Sequence, residues 1–132
     1  MNVAMAKVGL TGCDVGISYF LPRAVGRSVA AELMMTGRFV NAERALNLGL
    51  VAEIVGMENL EGSGRKMAND MLNLSPMGLR LTKEGLRMAS DAGSLEAAVA
   101  LEDRGQILCA SAGFFEEGIA AFKERRVAHY ND

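Results

Sequence analysis

Apolar residues recur at three- and four-residue intervals along most of the chain, which is the spacing of helices with one buried face. Between Gly26 and Thr36 the positions Val29, Ala30, Leu33 and Met34 follow it, and Gly37 supplies a left-handed stop, so a helix of about three turns is expected. Asn41 is placed to cap a short helix from Ala42 to Leu48, ended by Gly49. The run Leu50-Val51-Ala52-Glu53-Ile54-Val55 breaks the helical spacing. Its β-branched residues and flanking turn signals predict one strand, which needs a partner edge for its backbone groups. From Met57 to Asn73, Leu60, Met67, Ala68, Met71 and Leu72 share a face, but Gly62 and Gly64 each cost a helix up to ~1 kcal/mol, so its start should fray. Ser75-Pro76 reads as an N-cap with proline in the first helical position, opening a helix to about Ala89. Ser94 opens a longer helix through Leu95, Ala98, Val99, Leu101 and Leu108. After Gly113 a last helix from Phe114 to about Arg125 carries Phe115, Ile119 and Phe122 on adjoining turns. Ahead of Gly26, the glycine-punctuated stretch from Val8 to Phe20 predicts a loop and a brief helix, with Asp14 able to cap a turn beginning at Val15. Pro22 is expected to break the chain there.

Half of the 132 residues are apolar, enough for one compact domain and too few for two. The 14 basic and 16 acidic side chains are interspersed, which argues against a nucleic-acid or anionic-membrane surface. The first residues lack the pattern of a signal peptide, and no window of 18 uncharged apolar residues occurs, so a soluble cytoplasmic protein is expected. Cys13 and Cys109 lie far apart without metal-site spacing and are expected to be buried thiols. His129 alone gives neither a metal site nor a Ser-His-Asp triad. Nine methionines predict an adaptable core and subunit contacts.

An ordered set of landmarks then narrows the reading. Pro22-Arg23-Ala24-Val25-Gly26 is followed by Leu33-Met34-Met35-Thr36-Gly37, by Ala42-Glu43-Arg44-Ala45 and by Gly49-Leu50-Val51. Later come Ser75-Pro76, Leu81-Thr82-Lys83, Glu102, Glu117-Gly118-Ile119-Ala120-Ala121-Phe122 and Arg125-Arg126. This series resembles the carboxyl-terminal half of the enoyl-CoA hydratase/isomerase, or crotonase, family. The resemblance implies a mainly α chain with one short strand, the helical C-terminal part of the α/β crotonase (ClpP/crotonase) fold. It divides the chain into residues 1–25, a loop and short helix from the end of the crotonase core, and residues 26–132, a helical oligomerisation region. The family's amino-terminal half carries the CoA-binding strands and both oxyanion-hole N–H donors, and no Ala-Gly-x-Asp or Gly-Gly-rich loop occurs here. The chain is therefore expected to be part of a larger enzyme and inactive alone.

In that family a thioester carbonyl is polarised by backbone N–H groups while carboxylates move protons at the α and β carbons, a role suited to acids whose pKa burial can raise. Asp14, ahead of Val15-Gly16, resembles the aspartate of the dienoyl-CoA isomerase branch, which implies a catalytic role; the alternative is a cap on the turn that follows. Met5 stands about where hydratases carry an acid/base glutamate. Phe122 and Arg125 match positions that, by resemblance, reach the adenine and phosphate of coenzyme A on a neighbouring subunit. The alternative makes Phe122 helix core and Arg125 and Arg126 a solvated helix end. Glu102, Asp103 and Arg104 read as a self-paired exposed face, and Glu116-Glu117 as a response to the helix dipole. Thr82-Lys83 has no assigned chemistry. The resemblance implies an acyl-CoA substrate, a homo-trimer or hexamer, no nucleic acid or membrane partner, no metal, and no cofactor beyond the coenzyme A of the substrate. Complete, such a protein hydrates an enoyl-CoA thioester or moves its double bond. The alternative is a non-catalytic oligomerisation module or truncated remnant of such an enzyme.

Overall fold

A computed structural model describes residues 1–130. The chain packs as two compact units, Met1–Met57 and Glu58–Asp132, whereas the division expected from sequence falls at residue 25. The first unit spans that position because helices α1 (Ile17–Val25) and α2 (Arg27–Thr36) pack on each other.

Pro22 lies inside α1 and does not break it. Proline's fixed φ is helical, and although its ring forgoes one backbone hydrogen bond and crowds the carbonyl one turn back, the Pro22 carbonyl still accepts from the Gly26 N–H at 3.0 Å. The break falls at Gly26, whose φ of 80° and ψ of 158° suit glycine alone. Helix α2 ends at Gly37, where φ is 58° and an added Cβ would lie 2.8 Å from Lys7 Cε and 3.0 Å from the Val3 carbonyl. The chain start lies along this corner: Met1 and Val40 exchange backbone hydrogen bonds of 3.1 and 2.8 Å, and Val3 is buried. Asn41 caps α3 (Ala42–Asn47) as expected, its Oδ1 accepting the Arg44 N–H at 2.8 Å. Glu32 of α2 accepts both guanidinium nitrogens of Arg44 at 3.1 and 2.6 Å, which pins α3 to α2.

The expected strand over Leu50–Val55 does not form, and no strand occurs among the described residues. Its first residue is used otherwise. The Gly49 N–H donates to the Leu46 carbonyl and the Leu50 N–H to the Ala45 carbonyl, at 2.9 Å each, which closes α3 in a Schellman motif. Leu50 and Val51 then pack on the small core of Leu33, Val40 and Ala45, beside Leu21 and Val29.

A 3₁₀ turn at Met57–Asn59, at the boundary of the two units, leads into α4 (Leu60–Leu72), the irregular start expected of the glycine-containing segment. Ser75 caps α5 (Pro76–Ala89), its Oγ accepting the Gly78 N–H at 3.0 Å. Ser94 caps α6 (Leu95–Ser111) in the same way at 3.2 Å. Helix α7 (Phe114–Glu124) follows Gly113, and α6 packs against both α5 and α7. Arg104 pairs with Glu84 of α5 at 2.7 Å, so the expected self-paired face on α6 instead ties two helices together.

Burial is sparse. Among the described residues six apolar ones are buried, Ala121 alone in the second unit, while 25 large apolar side chains are exposed. Cys13 is exposed and Cys109 half-buried, against the expectation of two buried thiols. None of the nine methionines is buried, so their expected place in a core does not hold within this chain. The accessible surface is 9963 Å². Two separate compact bodies of these sizes would expose about 8,000 Å².

Candidate functional site

The loop before α1 carries Asp14. The Thr11 hydroxyl accepts the Cys13 N–H at 2.8 Å and turns the chain, and Asp14 Oδ1 accepts the N–H of its neighbour Val15 at 2.8 Å. The Asp14 carbonyl accepts the Ile17 N–H at 2.9 Å. A helix-capping carboxylate would bond an amide two or three places into the helix. The cap position of α1 is Gly16, with no side-chain bond, so Asp14 does not cap that helix; its carboxylate and carbonyl instead hold the turn through Val15 and Gly16 that leads into it, the place the turn-capping alternative gives it. Asp14 is exposed, and so are the apolar side chains of Leu10, Val15 and Phe20 around it. Val15 has φ of 43°, a left-handed conformation that costs a non-glycine residue roughly 1–2 kcal/mol and is rare for a β-branched one.

The second candidate region is the end of α7, where Phe122 and Arg125 share the last turn. Phe122 is 83% exposed, so it is not the core residue of the alternative reading. Arg125 adopts φ of 55° and ψ of 40°, its N–H donating to the Phe122 carbonyl and the Arg126 N–H to the Ala121 carbonyl at 3.3 and 3.1 Å. That is a Schellman motif with arginine in the left-handed position usually held by glycine.

Arg126 is exposed at the helix end and also paired. Its two terminal nitrogens donate to the two carboxylate oxygens of Glu117 at 2.6 and 2.9 Å, and its Nε donates to Glu124 at 2.6 Å. The His129 N–H adds a third hydrogen bond to Glu117, at 2.6 Å. This Arg126 fork, with the His129 amide second, holds the Glu117 carboxyl down at about 2 and pushes the Arg126 guanidinium further up. The chain after α7 therefore lies back along the helix. Tyr130 meets Phe114 edge-on with ring centroids 5.8 Å apart, and its hydroxyl would be 3.2 Å from a Cβ at Gly118. Tyr130 also walls a cavity of about 500 Å³ lined by Ser75, Gln106, Cys109, Phe115 and Ile119. Another, of about 310 Å³, lies between α5 and α6 beside the Arg104–Glu84 pair.

Sequence reasoning named Glu117 and Arg126 but did not pair them. Nine residues of straight helix would separate them by about 13 Å. The left-handed turn at Arg125 brings them together, and an arginine gives no local signal for such a turn. Chemically, an exposed aromatic ring with an exposed guanidinium on the same turn suits a flat base joined to an anion. Asp14 belongs to the first unit and this pair to the second. Among the described residues no three of His, Cys, Asp and Glu gather as metal ligands, and no helix is long and apolar enough to cross a membrane.

Comparison with known proteins gives this geometry its family. The sequence pattern described as enoyl-CoA hydratase/isomerase matches residues 2–132. The chain belongs to the enoyl-CoA hydratase/isomerase family. It is 42% identical over 125 residues to a Mycobacterium tuberculosis protein named "Probable enoyl-CoA hydratase", covering 94% of this chain and 44% of that one. It is 30% identical over 124 residues to the 1,2-epoxyphenylacetyl-CoA isomerase of Escherichia coli, covering 94% and 47%. The crystal structure of a probable enoyl-CoA hydratase/isomerase from Mycobacterium abscessus superposes with a TM-score of 0.92 at 37% identity, covering 98% of this chain and 50% of that one. The helices α1 to α7 are thus the helical part of a crotonase fold. The chain spans about half the length of the curated relatives it matches.

Proposed function

We propose that this chain serves an acyl-CoA enzyme that hydrates an enoyl-CoA thioester or shifts its double bond. In this reading Asp14 moves a proton at the acyl chain, and Phe122 and Arg125 meet the adenine and phosphate of coenzyme A. The observation that carries the reading is the family match over residues 2–132, joined to helices that follow those of a solved family member at a TM-score of 0.92. The exposed Phe122–Arg125 turn supports the coenzyme A contact, and the exposure of the Asp14 carboxylate in the loop before α1 leaves it open to an acyl chain. Coenzyme A enters as part of the substrate, and no metal or further cofactor is required. A cytoplasmic location suits such chemistry.

The chain further works as a homo-trimer or hexamer. Its exposed surface exceeds that of separate compact bodies by roughly 1,900 Å², an area comparable to a stable protein interface. A second reading, a non-catalytic assembly module, draws on the same exposed apolar surface. The two readings separate at Asp14. In a form of the protein that turns over enoyl-CoA, Asp14→Asn should lower kcat and leave KM nearly unchanged, because a proton-moving carboxylate acts in the transition state. Full isomerase and hydratase activity in Asp14→Asn would overturn the catalytic assignment.

A further inference from the structure

A helix that ends on a left-handed residue normally uses glycine, and here the position holds an arginine whose two sequence neighbours are both tied down. Glu124 and Arg126 are joined at 2.6 Å across it, and Arg126 is fixed to Glu117 by both guanidinium nitrogens. The His129 N–H reaches the same carboxylate at 2.6 Å, and the Tyr130 ring rests edge-on against Phe114. Every one of these contacts restrains residues 126–130, so that they lie back along α7. Arg125 itself stays exposed at the apex of the turn, with its backbone N–H on the Phe122 carbonyl. A two-pronged arginine–carboxylate contact is directional, so it fixes orientation as well as proximity; a lysine would keep the charge and lose the direction.

We infer that the Glu117–Arg126 fork is a positioning device for Arg125, holding it in the left-handed turn so that its guanidinium and the Phe122 ring together take the 3′-phosphorylated adenosine end of coenzyme A. The inference rests on the proposed contact of Phe122 and Arg125 with coenzyme A. Glu117 and Arg126 are positioning residues, acting through the backbone of residue 125 without touching the ligand. What they set is discrimination for the phosphate, which a merely structural role would leave alone.

The test titrates coenzyme A and 3′-dephospho-coenzyme A separately, by calorimetry, into a form of the protein that turns over enoyl-CoA, for the wild type, Arg125→Ala, Glu117→Gln and Arg126→Lys. The wild type should prefer coenzyme A, and Arg125→Ala should abolish the preference. Glu117→Gln and Arg126→Lys should each reduce it about tenfold, the effect of weakening one charge-assisted hydrogen bond. Affinity for the dephosphorylated ligand should change less than about twofold in all four. If Glu117→Gln fails to fold, Arg126→Lys carries the comparison. A preference lost in Arg125→Ala but retained in Glu117→Gln and Arg126→Lys overturns the inference alone, as does an equal loss for both ligands in the fork variants. Equal affinities in the wild type overturn the coenzyme A reading and this inference with it.

Discussion

Replacing Arg125 by glycine should make the second unit more stable and its grip on coenzyme A weaker. Arg125 holds φ of 55°, where a side chain crowds the backbone at a cost of roughly 1–2 kcal/mol, and glycine pays no such penalty. Glycine also gives the unfolded chain more freedom, which returns roughly 0.5–1 kcal/mol. The net gain is then about 0.5–1 kcal/mol, and for a body of this size that raises Tm by roughly 2–8 °C. Thermal unfolding followed by circular dichroism measures it, with Arg125→Ala as the control. Alanine removes the same charge but keeps a Cβ in the left-handed turn, so it should show none of the gain. A glycine variant no more stable than the alanine variant would refute the argument that residue 125 is strained.

Acid should weaken the Glu117 contacts. A carboxyl held at about 2 when folded and near 4.5 when unfolded stabilises the fold above pH 4.5, and this contribution is lost as pH falls from 4.5 toward 2. The difference in Tm between wild type and Glu117→Gln should therefore close over that window, and a difference independent of pH would contradict it. Ser75→Ala should lower stability by about 0.5–2 kcal/mol, with Ser75→Asn near wild type, because the Oγ bond to the Gly78 N–H is a helix cap; urea unfolding of both variants checks this. Light scattering should show a trimer or hexamer of the 132-residue chain, and a monomer at high concentration would count against the assembly surface.

What could be read from the sequence was local. Asn41, Ser75 and Ser94 announce helix starts because capping is settled within three residues, and Gly37 and Gly113 act over equally short range. Leu50–Val55 was misread because strand propensity speaks only of a fit to a pleated surface, while the Schellman turn and the core around Leu33 had first use of its beginning. Pro22 was misread because local propensity does not see the packing of α1 on α2, which holds the helix through an interior proline. The candidate residues Asp14, Phe122 and Arg125 came from resemblance. Their surroundings did not, since the Val15 strain and the Glu117–Arg126 fork depend on backbone turns that neither valine nor arginine signals. The exposure of the methionines and of Cys13 was likewise beyond a pattern that marks apolar faces without showing what covers them.

The central claim is that the carboxyl-terminal end of α7 is built to receive coenzyme A, and the most direct test is equilibrium binding of coenzyme A to a form of the protein that turns over enoyl-CoA and to its Phe122→Ala and Arg125→Ala variants. Saturable binding by the wild type that each substitution weakens about tenfold or more is the expected result, since an exposed aromatic platform and a phosphate-pairing arginine each contribute on that scale. Wild-type binding unchanged by either substitution, or no binding at all, would contradict it.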